Sequence, residues 1–285
     1  MKKLLKKIAS PEWRFRAHRL GRLRWFTKYQ LMRGYHADVG LRRKLAYVLL
    51  DPEIESFSFE LENEPEVIAT LAAALGHPYD ELAAYAAETR RDPELNELLT
   101  RHVRWRFDVK RRLPLGNRLA WYVIVRATKP ELVVETGIYL GLGSLVLLRA
   151  LERNRQEGSP GELMSFDTLA SAGSLVREQV RRGWHRFVGS TYDLLLPALE
   201  SRRVDMLLQD TPHTDENQRF EFGAALSHAG PDLLLVDSSG GVSPTLETIC
   251  AEREGAYYRV PQRSREHIHP GFDLTFAIFK EARNE

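Results

Sequence analysis

The sequence predicts an α/β protein: a doubly wound, seven-stranded, mostly parallel sheet with a terminal antiparallel hairpin, preceded by a helical N-terminal region. Two observations predict the sheet. After Pro130, five short apolar or β-branched runs alternate with helical segments, which is typical of parallel strands covered by helices on both faces. The last two runs, 256–262 and 272–280, have no helix between them. Two strands joined in this way form an antiparallel hairpin, which we expect at the edge of the sheet.

The first 128 residues have helical patterning, and residues that favour helix ends divide it. Gly76 ends the first helix, because glycine readily takes the left-handed conformation that follows helices. Asp80 is expected to cap the next helix, and Asp92 followed by Pro93 is a favourable helix start. The predicted helical segments are 63–75, 80–90, a helix from 93, the run 99–107, and 118–127, which ends before the proline at 130.

The strands and helices beyond Pro130 follow one another in strict alternation until the final hairpin. This change of pattern divides the chain into a helical N-terminal region, 1–114, with a basic arm over 1–50 and helices over 60–107, and a second domain, 115–285. The predicted strands are 131–137, 163–167, 186–190, 204–210, 232–238, 256–262 and 272–280, and the helices between them reach to 153, span 171–183, reach to 200, span 214–228 and reach to 254.

The composition is that of an ordinary globular protein and excludes several classes. The chain has 285 residues, of which 43% are hydrophobic and 28% are charged. No apolar stretch approaches the roughly 20 residues of a membrane-spanning helix. The N-terminal segment MKKLLKKIASPEW lacks the long apolar centre of a secretory signal, so we expect it in the mature chain. The single cysteine, Cys250, excludes an internal disulfide and a multi-cysteine zinc site. We therefore expect a cytoplasmic protein.

The charge is distributed unevenly along the chain. Residues 1–50 contain 14 Lys and Arg but two acidic residues, a balance of +12. Because the whole chain carries +2, the remainder carries −10. Trp13, Ala17, Leu20 and Leu23 fall at helical spacing, so the arm is expected to pack within the chain or against a second subunit, which favours a homo-oligomer. Contact of the arm with anionic membrane or with nucleic acid is the alternative.

A glycine-rich segment, VETGIYLGLGSL at 134–145, follows the first predicted strand of the sheet. A nicotinamide-binding turn has the spacing G-x-G-x-x-G, whereas the spacing here is E-x-G-x-x-x-G-x-G, with Glu135 before the first glycine. A second acid, Asp167, ends the second strand. Glycines that serve only the packing of the turn are the alternative, but that alternative does not explain Asp167 and the terminal hairpin together.

Together these features resemble the class I S-adenosylmethionine-dependent methyltransferases, over roughly residues 115–280. The resemblance implies a Rossmann-like domain in which the turn after strand one lies against the methionine part of the cofactor, and the acid ending strand two accepts hydrogen bonds from both ribose hydroxyls. A carboxylate can accept two such bonds at once, and glycine lets the backbone approach a ligand closely. Tyr139 stands where the commonest family pattern has its middle glycine. The cofactor-binding residues that the resemblance implies are Glu135, Gly137, Tyr139, Gly141, Gly143, Ser144, Asp167, Ser190 and Asp210.

The loop after strand four, QDTPHTDENQRFEF at 209–222, is expected to face the reacting methyl group, because ligands of open α/β sheets lie beyond the carboxyl ends of the strands. It resembles an acid-x-x-His-(Thr/Ser)-x-x-Asn loop of a methyltransferase branch that includes small-molecule modifying enzymes. The matching residues are Asp210, His213, Thr214 and Asn217. A histidine with a pKa near about 6.5 can take the proton of a hydroxyl acceptor, so His213 and Asp210 are the catalytic candidates. Alternatively, His213 caps or packs at the start of the helix that follows.

Asp210 and Asp237 end neighbouring strands and offer oxygen ligands of the kind that Mg²⁺ prefers. Metal-dependent small-molecule O-methyltransferases usually place a second acid directly after the strand-five acid, whereas Ser238 and Ser239 stand at that point here. Mg²⁺ is therefore considered as a cofactor but not favoured, and no metal ligand is assigned.

Five residues are candidates for contact with the substrate. Helix packing is the alternative for the aromatic one, and exposure in the hairpin loop is the alternative for the two histidines. The candidates are Arg118, Tyr122, Asp237, His267 and His269.

The sequence therefore predicts an S-adenosylmethionine-dependent methyltransferase that acts on an oxygen, in a hydroxyl or a carboxylate, of a small molecule. An enzyme acting on nitrogen would keep the same cofactor residues. An RNA methyltransferase would account for the basic arm, but no Asn-Pro-Pro-Tyr-like loop follows strand four. A third alternative is a non-catalytic cofactor-binding partner subunit, which His213 disfavours because an inert subunit needs no titratable group at that position.

Overall fold

The computed structural model describes residues 40, 42, 47, 55, 57–102, 110–269 and 271–280. These residues fall into two compact units, each built from several stretches of the chain. Most of the basic arm predicted over 1–50 lies outside the described residues, and the domain boundary predicted at 114/115 stays a prediction. The first unit comprises Met1–Glu62, Arg91–Gly116 and Arg263–Gly271, and the second comprises Asn63–Arg90, Asn117–Gln262 and Phe272–Glu285.

Along the described residues, a segment rich in helices comes first, a segment in which strands and helices alternate follows, and two antiparallel strands come last. The helices are α1 (Glu64–Leu75), α2 (Tyr79–Arg91), α3 (Pro93–Leu99), α4 (Arg118–Thr128), α5 (Leu142–Gln156), α6 (Thr191–Leu199), α7 (Asp215–Ser227) and α8 (Pro244–Arg253). The strands are β1 (Thr100–His102), β2 (Lys110–Arg112), β3 (Leu132–Thr136), β4 (Glu162–Asp167), β5 (Trp184–Val188), β6 (Val204–Gln209), β7 (Ala229–Gly240), β8 (Ala256–Val260) and β9 (Asp273–Lys280).

The second unit contains a seven-stranded sheet with the order β5-β4-β3-β6-β7-β9-β8. Strands β3 to β7 are parallel to one another, whereas β9 pairs antiparallel with β7 on one side and with β8 on the other. This confirms the mostly parallel, seven-stranded sheet and its terminal antiparallel hairpin. The hairpin lies at the edge, as predicted, with its second strand next to the parallel strands.

The core of the second unit is formed by the central strands and the helices on them. Strand β3, with the sequence LVVET, is buried along its whole length, as expected for a central strand covered on both faces. Burial of a large apolar side chain stabilises the folded state by roughly 1.5–3 kcal/mol. Among the largest core side chains of this unit are Phe166, Leu207, Phe222 and Leu235.

Two predicted helix ends are confirmed and one is corrected. Gly76 follows α1 with a left-handed backbone (φ 72°), and the Asp92 side chain accepts a hydrogen bond of 2.9 Å from the backbone N–H of Leu95 at the start of α3. Asp80 is not a cap, because α2 already begins at Tyr79 and Asp80 lies within its first turn. There its negative charge still favours the helix N-terminus electrostatically.

The helix predicted over 99–107 is wrong where the structure describes it. Helix α3 ends at Leu99, and Thr100 has an extended backbone (φ −72°, ψ 130°). From there β1 pairs antiparallel with β2, with Thr100 opposite Arg112. Pairing with β2 satisfies backbone groups of β1, and this contact between strands overrides the local helical pattern.

The helix predicted over 171–183 is also wrong, apart from one 3₁₀ turn at Glu178–Val180. Gly173 has φ +74°, which a right-handed helix cannot contain. A Cβ at this position would lie 2.5 Å from the ring of Trp184, so the glycine also permits a close approach. The chain therefore follows a series of turns between β4 and β5.

In the part of the chain that the structure describes, no helix is both long enough and apolar enough to cross a bilayer.

A buried arginine joins several helices of the second unit. The Arg126 guanidinium on α4 donates to both carboxylate oxygens of Glu88 on α2, at 2.9 and 3.1 Å, and also to Glu157 after α5. Its remaining nitrogen donates to the Asn154 side chain, and the guanidinium lies 4.5 Å from the centre of the Tyr85 ring. The charge is thus fully paired, which a buried cation requires.

We expect Arg126→Met to lower the free energy of unfolding by about 3 kcal/mol, because it removes a buried charge and leaves its carboxylate partners unpaired. Urea denaturation measures this change. The matched control is Arg219→Met, which removes an exposed ion pair to Asp215 and should cost less than about 1 kcal/mol. Equal losses in the two variants would contradict the structural role of Arg126.

Candidate functional site

The carboxyl ends of four parallel strands meet at one edge of the sheet. Register brings Thr136 of β3 opposite Phe166 of β4 on one side and Gln209 of β6 on the other, and Gln209 is opposite Asp237 of β7. The loops that follow these strands contain the predicted cofactor and catalytic residues. In a parallel sheet this edge is where ligands bind.

The turn after β3 fits closely against the loop after β6. Gly137 has φ +91°, and a Cβ there would lie 2.1 Å from the backbone oxygen of Asp210. The backbone N–H of Gly137 donates to Phe166, and that of Asp210 donates to Thr136. A side chain at 137 would push these two loops apart, so the glycine is required by this contact as well as by its backbone angle.

Asp167, at the end of β4, holds the glycine turn through backbone groups. Its Oδ2 accepts from the N–H groups of Ile138 (3.0 Å) and Tyr139 (2.8 Å), and its Oδ1 accepts from Leu169 (2.7 Å). Tyr139 itself is exposed and has a left-handed backbone (φ 48°). A carboxylate has about four acceptor positions, so these bonds leave one on Oδ1 for a ligand hydroxyl.

Glu135, Gly143 and Ser144 lie in the contact between β3 and α5. The Glu135 carboxylate is buried and accepts from the hydroxyls of Ser144 (2.6 Å) and Ser165 (2.7 Å). A Cβ at Gly143 would lie 2.8 Å from Glu135 Oε1 and 3.0 Å from the Trp121 ring. In this structure these residues anchor the start of α5 to the sheet.

The start of α5 can receive the carboxylate of a cofactor. Gly141 precedes the helix with φ +95°. Backbone N–H groups and the helix dipole at such an end favour an anion. At the start of α6, the side chain of Ser190 caps the helix by accepting from the N–H of Tyr192 (3.2 Å). The residues at this edge therefore fit a cofactor that has both a carboxylate and hydroxyl groups.

His213 lies in the loop after β6, and two acceptors face its Nδ1. This atom is 2.7 Å from Gln209 Oε1 and 3.4 Å from Asp237 Oδ1. The hydroxyl of Thr214, and not His213, caps α7. Because acceptors face Nδ1, the neutral ring carries its proton there, and the lone pair is on Nε2. The side chain of His213 is 32% exposed.

Two amides fix this arrangement. Nε2 of Gln209 donates to the hydroxyl of Thr211 (3.0 Å) and the carbonyl of Pro212 (3.4 Å), which turns its oxygen toward His213. Nε2 of Gln218, on α7, donates to Asp237 Oδ2 (2.8 Å) and to Gln209 Oε1 (3.3 Å).

Asp237 is completely buried at the end of β7. Burial acts to raise the pKa of Asp237, but hydrogen bonds from His213 and the backbone N–H of Ser239 hold the pKa below its usual value. For His213, burial acts to lower the pKa, yet the hydrogen bond and charge of Asp237 outweigh it. The charges of Asp210 and Glu221 act in the same direction, so the pKa of His213 is raised above its usual value.

Glu221 of α7 holds the loop after β6 in place through hydrogen bonds. Its Oε2 accepts from the hydroxyls of Thr136 (2.8 Å) and Thr211 (2.7 Å), and Asn217 donates to Thr211 (2.9 Å) and Pro212 (3.1 Å). The Asn217 of the sequence motif is thus a structural residue of this loop. Sequence reasoning missed Gln209, Gln218 and Glu221. The available signal was a polar residue, Gln209, directly after the apolar run Met206, Leu207 and Leu208 in the strand VDMLLQ.

The predicted substrate residues have different placements. Asp237 partners His213, whereas Tyr122 is buried and donates to Glu88 at 2.9 Å, which leaves it no exposed atom for an acceptor. Arg118 is buried, with its guanidinium 5.6 Å from the centre of the Trp121 ring.

The two hairpin-loop histidines belong to the first unit. The expectation that they are exposed is wrong for His267, which is buried with its ring 5.2 Å from those of Tyr47 and His269. Aromatic packing explains this burial, since an imidazole ring stacks as other flat rings do.

Within the described residues, no group of three or more His, Cys, Asp and Glu side chains could hold a metal ion.

We expect Gly137→Ala to lower the affinity for S-adenosylhomocysteine at least about tenfold, a loss of about 1.4 kcal/mol, because the turn must move away from Asp210. Calorimetry measures the affinity. The matched control is Gly158→Ala, at φ +90° with no atom within 4 Å of the added Cβ. It should lose about 1–2 kcal/mol of stability through its backbone angle and keep its affinity. Equal affinities of Gly137→Ala and Gly158→Ala for S-adenosylhomocysteine would refute the importance of the contact between Gly137 and Asp210.

Comparison with known proteins agrees with this geometry. Residues 134–238 match the family model of a methyltransferase domain. The chain has no significant relative among curated proteins.

Several solved structures are similar in fold. The O-methyltransferase TomG from Streptomyces achromogenes, involved in tomaymycin synthesis and solved with S-adenosylmethionine, is 19% identical, with 78% of this chain and 99% of that one covered and a TM-score of 0.47. An O-methyltransferase from Bacillus cereus, solved with S-adenosylhomocysteine, is 14% identical, with coverages of 87% and 100% and a TM-score of 0.45.

The match over 134–238 covers the glycine turn, both acids and the His213 loop. This part of the chain is therefore similar to a methyltransferase domain.

Proposed function

We propose that the chain methylates an oxygen of a small molecule, and specifically a hydroxyl oxygen, with His213 as the general base. The observation that supports this is the pair of acceptors at Nδ1 of His213, Gln209 Oε1 and Asp237 Oδ1. They place the basic lone pair on Nε2. A hydroxyl has a proton to remove, whereas a carboxylate has none, so a positioned base favours the hydroxyl.

The cofactor would lie along the carboxyl edge of the sheet. The first turn of α5 after Gly141 would receive its carboxylate, and the remaining acceptor position of Asp167 would receive a ribose hydroxyl. When bound, S-adenosylmethionine supplies a methyl group on a positively charged sulfur. Of the predicted contacts, Gly137, Tyr139, Ser190 and Asp210 lie at this edge, and Glu135, Gly143 and Ser144 support it from the buried side.

His213 and Asp237 act as a pair in this scheme. As the acceptor hydroxyl loses its proton to Nε2, the ring becomes a cation, and the buried carboxylate of Asp237 stabilises that cation. Both Asp237 oxygens already accept hydrogen bonds. We therefore expect the reaction to proceed without Mg²⁺.

An amine acceptor also loses a proton and is the nearest alternative. An inert partner subunit is disfavoured, since it would gain nothing from a buried acid fixed against a histidine. Assembly through the helical N-terminal region, contact of the basic arm with nucleic acid or anionic membrane, and a cytoplasmic location stay predictions.

We expect His213→Ala to keep its affinity for S-adenosylhomocysteine and to lose turnover by a factor of roughly 10² to 10⁴, the range for loss of a general base. Turnover is measured on the first acceptor found in a panel of phenols and aliphatic alcohols.

The wild-type rate should rise with pH through the pKa of His213, because the neutral ring is the active form. Since Asp237 raises that pKa, the rise should occur above the usual histidine value, and the variant should lack it. His185→Ala, which changes an exposed histidine on the edge strand β5, is the control and should keep the rate. Near-normal turnover in His213→Ala would exclude the base.

We expect Asp167→Ala to weaken binding of S-adenosylhomocysteine about tenfold to a hundredfold, the loss of about 1.5–3 kcal/mol for a charge-assisted hydrogen bond. Asp205 provides a matched control, because its carboxylate accepts from two backbone N–H groups, Glu131 and Leu132, at the opposite end of β3. Asp205→Ala should lose stability but keep its affinity in calorimetry. Unchanged affinity in Asp167→Ala would contradict the cofactor role.

A further inference from the structure

A buried amide on α7 contacts both acceptors of His213. Gln218 is 3% exposed, and its Nε2 donates to Asp237 Oδ2 at 2.8 Å and to Gln209 Oε1 at 3.3 Å. Both acceptors of this amide are therefore the groups that face Nδ1 of the histidine.

The orientation of this amide follows from its surroundings. If Gln218 were turned over, its oxygen would face a carboxylate oxygen and an amide oxygen at hydrogen-bonding distance, and three acceptors would meet without a proton. With the nitrogen in place, Gln209 keeps its own oxygen toward Nδ1, and Asp237 keeps its other oxygen, Oδ1, there too. The ring can then satisfy both acceptors only with a proton on Nδ1.

We propose that Gln218 is a positioning residue that holds His213 in the Nδ1–H tautomer and so keeps Nε2 free to accept the substrate proton. The proposal rests on the proposed role of His213 as the base. Gln218 also supplies a donor to a carboxylate that is fully buried. If Gln218 had a purely structural role, it would only satisfy this buried carboxylate and would not affect the protonation of the imidazole ring.

The charged groups around the ring lie on three elements. Asp237 lies near the end of β7, Asp210 follows β6, and Glu221 lies on α7, and all three favour the protonated ring. By donating a hydrogen bond to Asp237, Gln218 partly neutralises the negative charge of that carboxylate. Its loss should therefore strengthen the pull of Asp237 on the ring and move the titration of His213 to higher pH.

The experiment uses the full-length protein labelled with ¹⁵N-histidine and no added ligand. The ring signals of His213 are identified by their loss in His213→Ala. In the wild type, above the titration of the ring, Nδ1 should give the signal of a protonated nitrogen and Nε2 that of an unprotonated one. The reverse assignment would overturn the proposal whether or not any variant folds.

Gln218→Met keeps the length of the side chain and removes the donor. Gln209 also loses its donor, so its amide can turn the nitrogen toward Nδ1 of His213, and we expect the Nδ1 and Nε2 signals to move toward a mixture of the two tautomers. Its kcat should fall by about tenfold, with the rise in the pH–rate profile at higher pH and the affinity for S-adenosylhomocysteine unchanged. A tenfold fall corresponds to about 1.4 kcal/mol, within the range for a hydrogen bond to a charged group.

The matched control is Gln262→Met, because Gln262 is also 3% exposed and its amide makes no hydrogen bond within the described residues. It should change neither the ring signals nor the pH–rate profile. If Gln218→Met leaves both as in the wild type, the proposal is wrong, while His213 can still be the base. If His213→Ala keeps normal turnover, the proposed function fails instead, and the tautomer result still reports on Gln218.

Discussion

The buried carboxylate of Asp237 is the constraint on which the rest of the site depends. A charge removed from water is tolerated only when donors surround it, and here the donors come from α7, from the loop after β6 and from Ser239 of β7 itself. Each donor is thereby fixed in place. His213 gains its orientation because the acid needs a partner, and the acid keeps its charge because His213 and its other donors are there.

The same physical logic recurs at the neighbouring strands. Asp167 collects three backbone N–H groups and so shapes the turn after β3, while the buried Glu135 fixes the start of α5. Glu221 accepts hydrogen bonds from Thr136, the last residue of β3, and from Thr211, in the loop after β6. Four acids thus organise one edge of the sheet, and only part of their hydrogen-bonding capacity is left for ligands.

Under the proposed function, this arrangement would support deprotonation of the acceptor by a histidine. Ser238 and Ser239 follow Asp237, and the buried acid pairs with His213. The proposed base is the neutral imidazole, so its action would depend on which ring nitrogen carries the proton. In the proposed scheme the amides of Gln209 and Gln218 would control the position of that proton.

The sequence by itself determined the seven-stranded sheet, its terminal hairpin, the glycine turn and the loop with His213, because these depend on local periodicity and on residue types at fixed spacing. It did not determine the β1–β2 pair or the turns over 171–183, where strand pairing and the positive φ of Gly173 outweigh the local helical preference. It also did not reveal Gln209, Gln218 and Glu221, or the burial of His267, whereas helix packing was already the alternative for Tyr122. Which polar side chains share one buried carboxylate is decided only when strands and helices far apart in the chain are packed together, since hydrogen bonds need their atoms within about 3 Å.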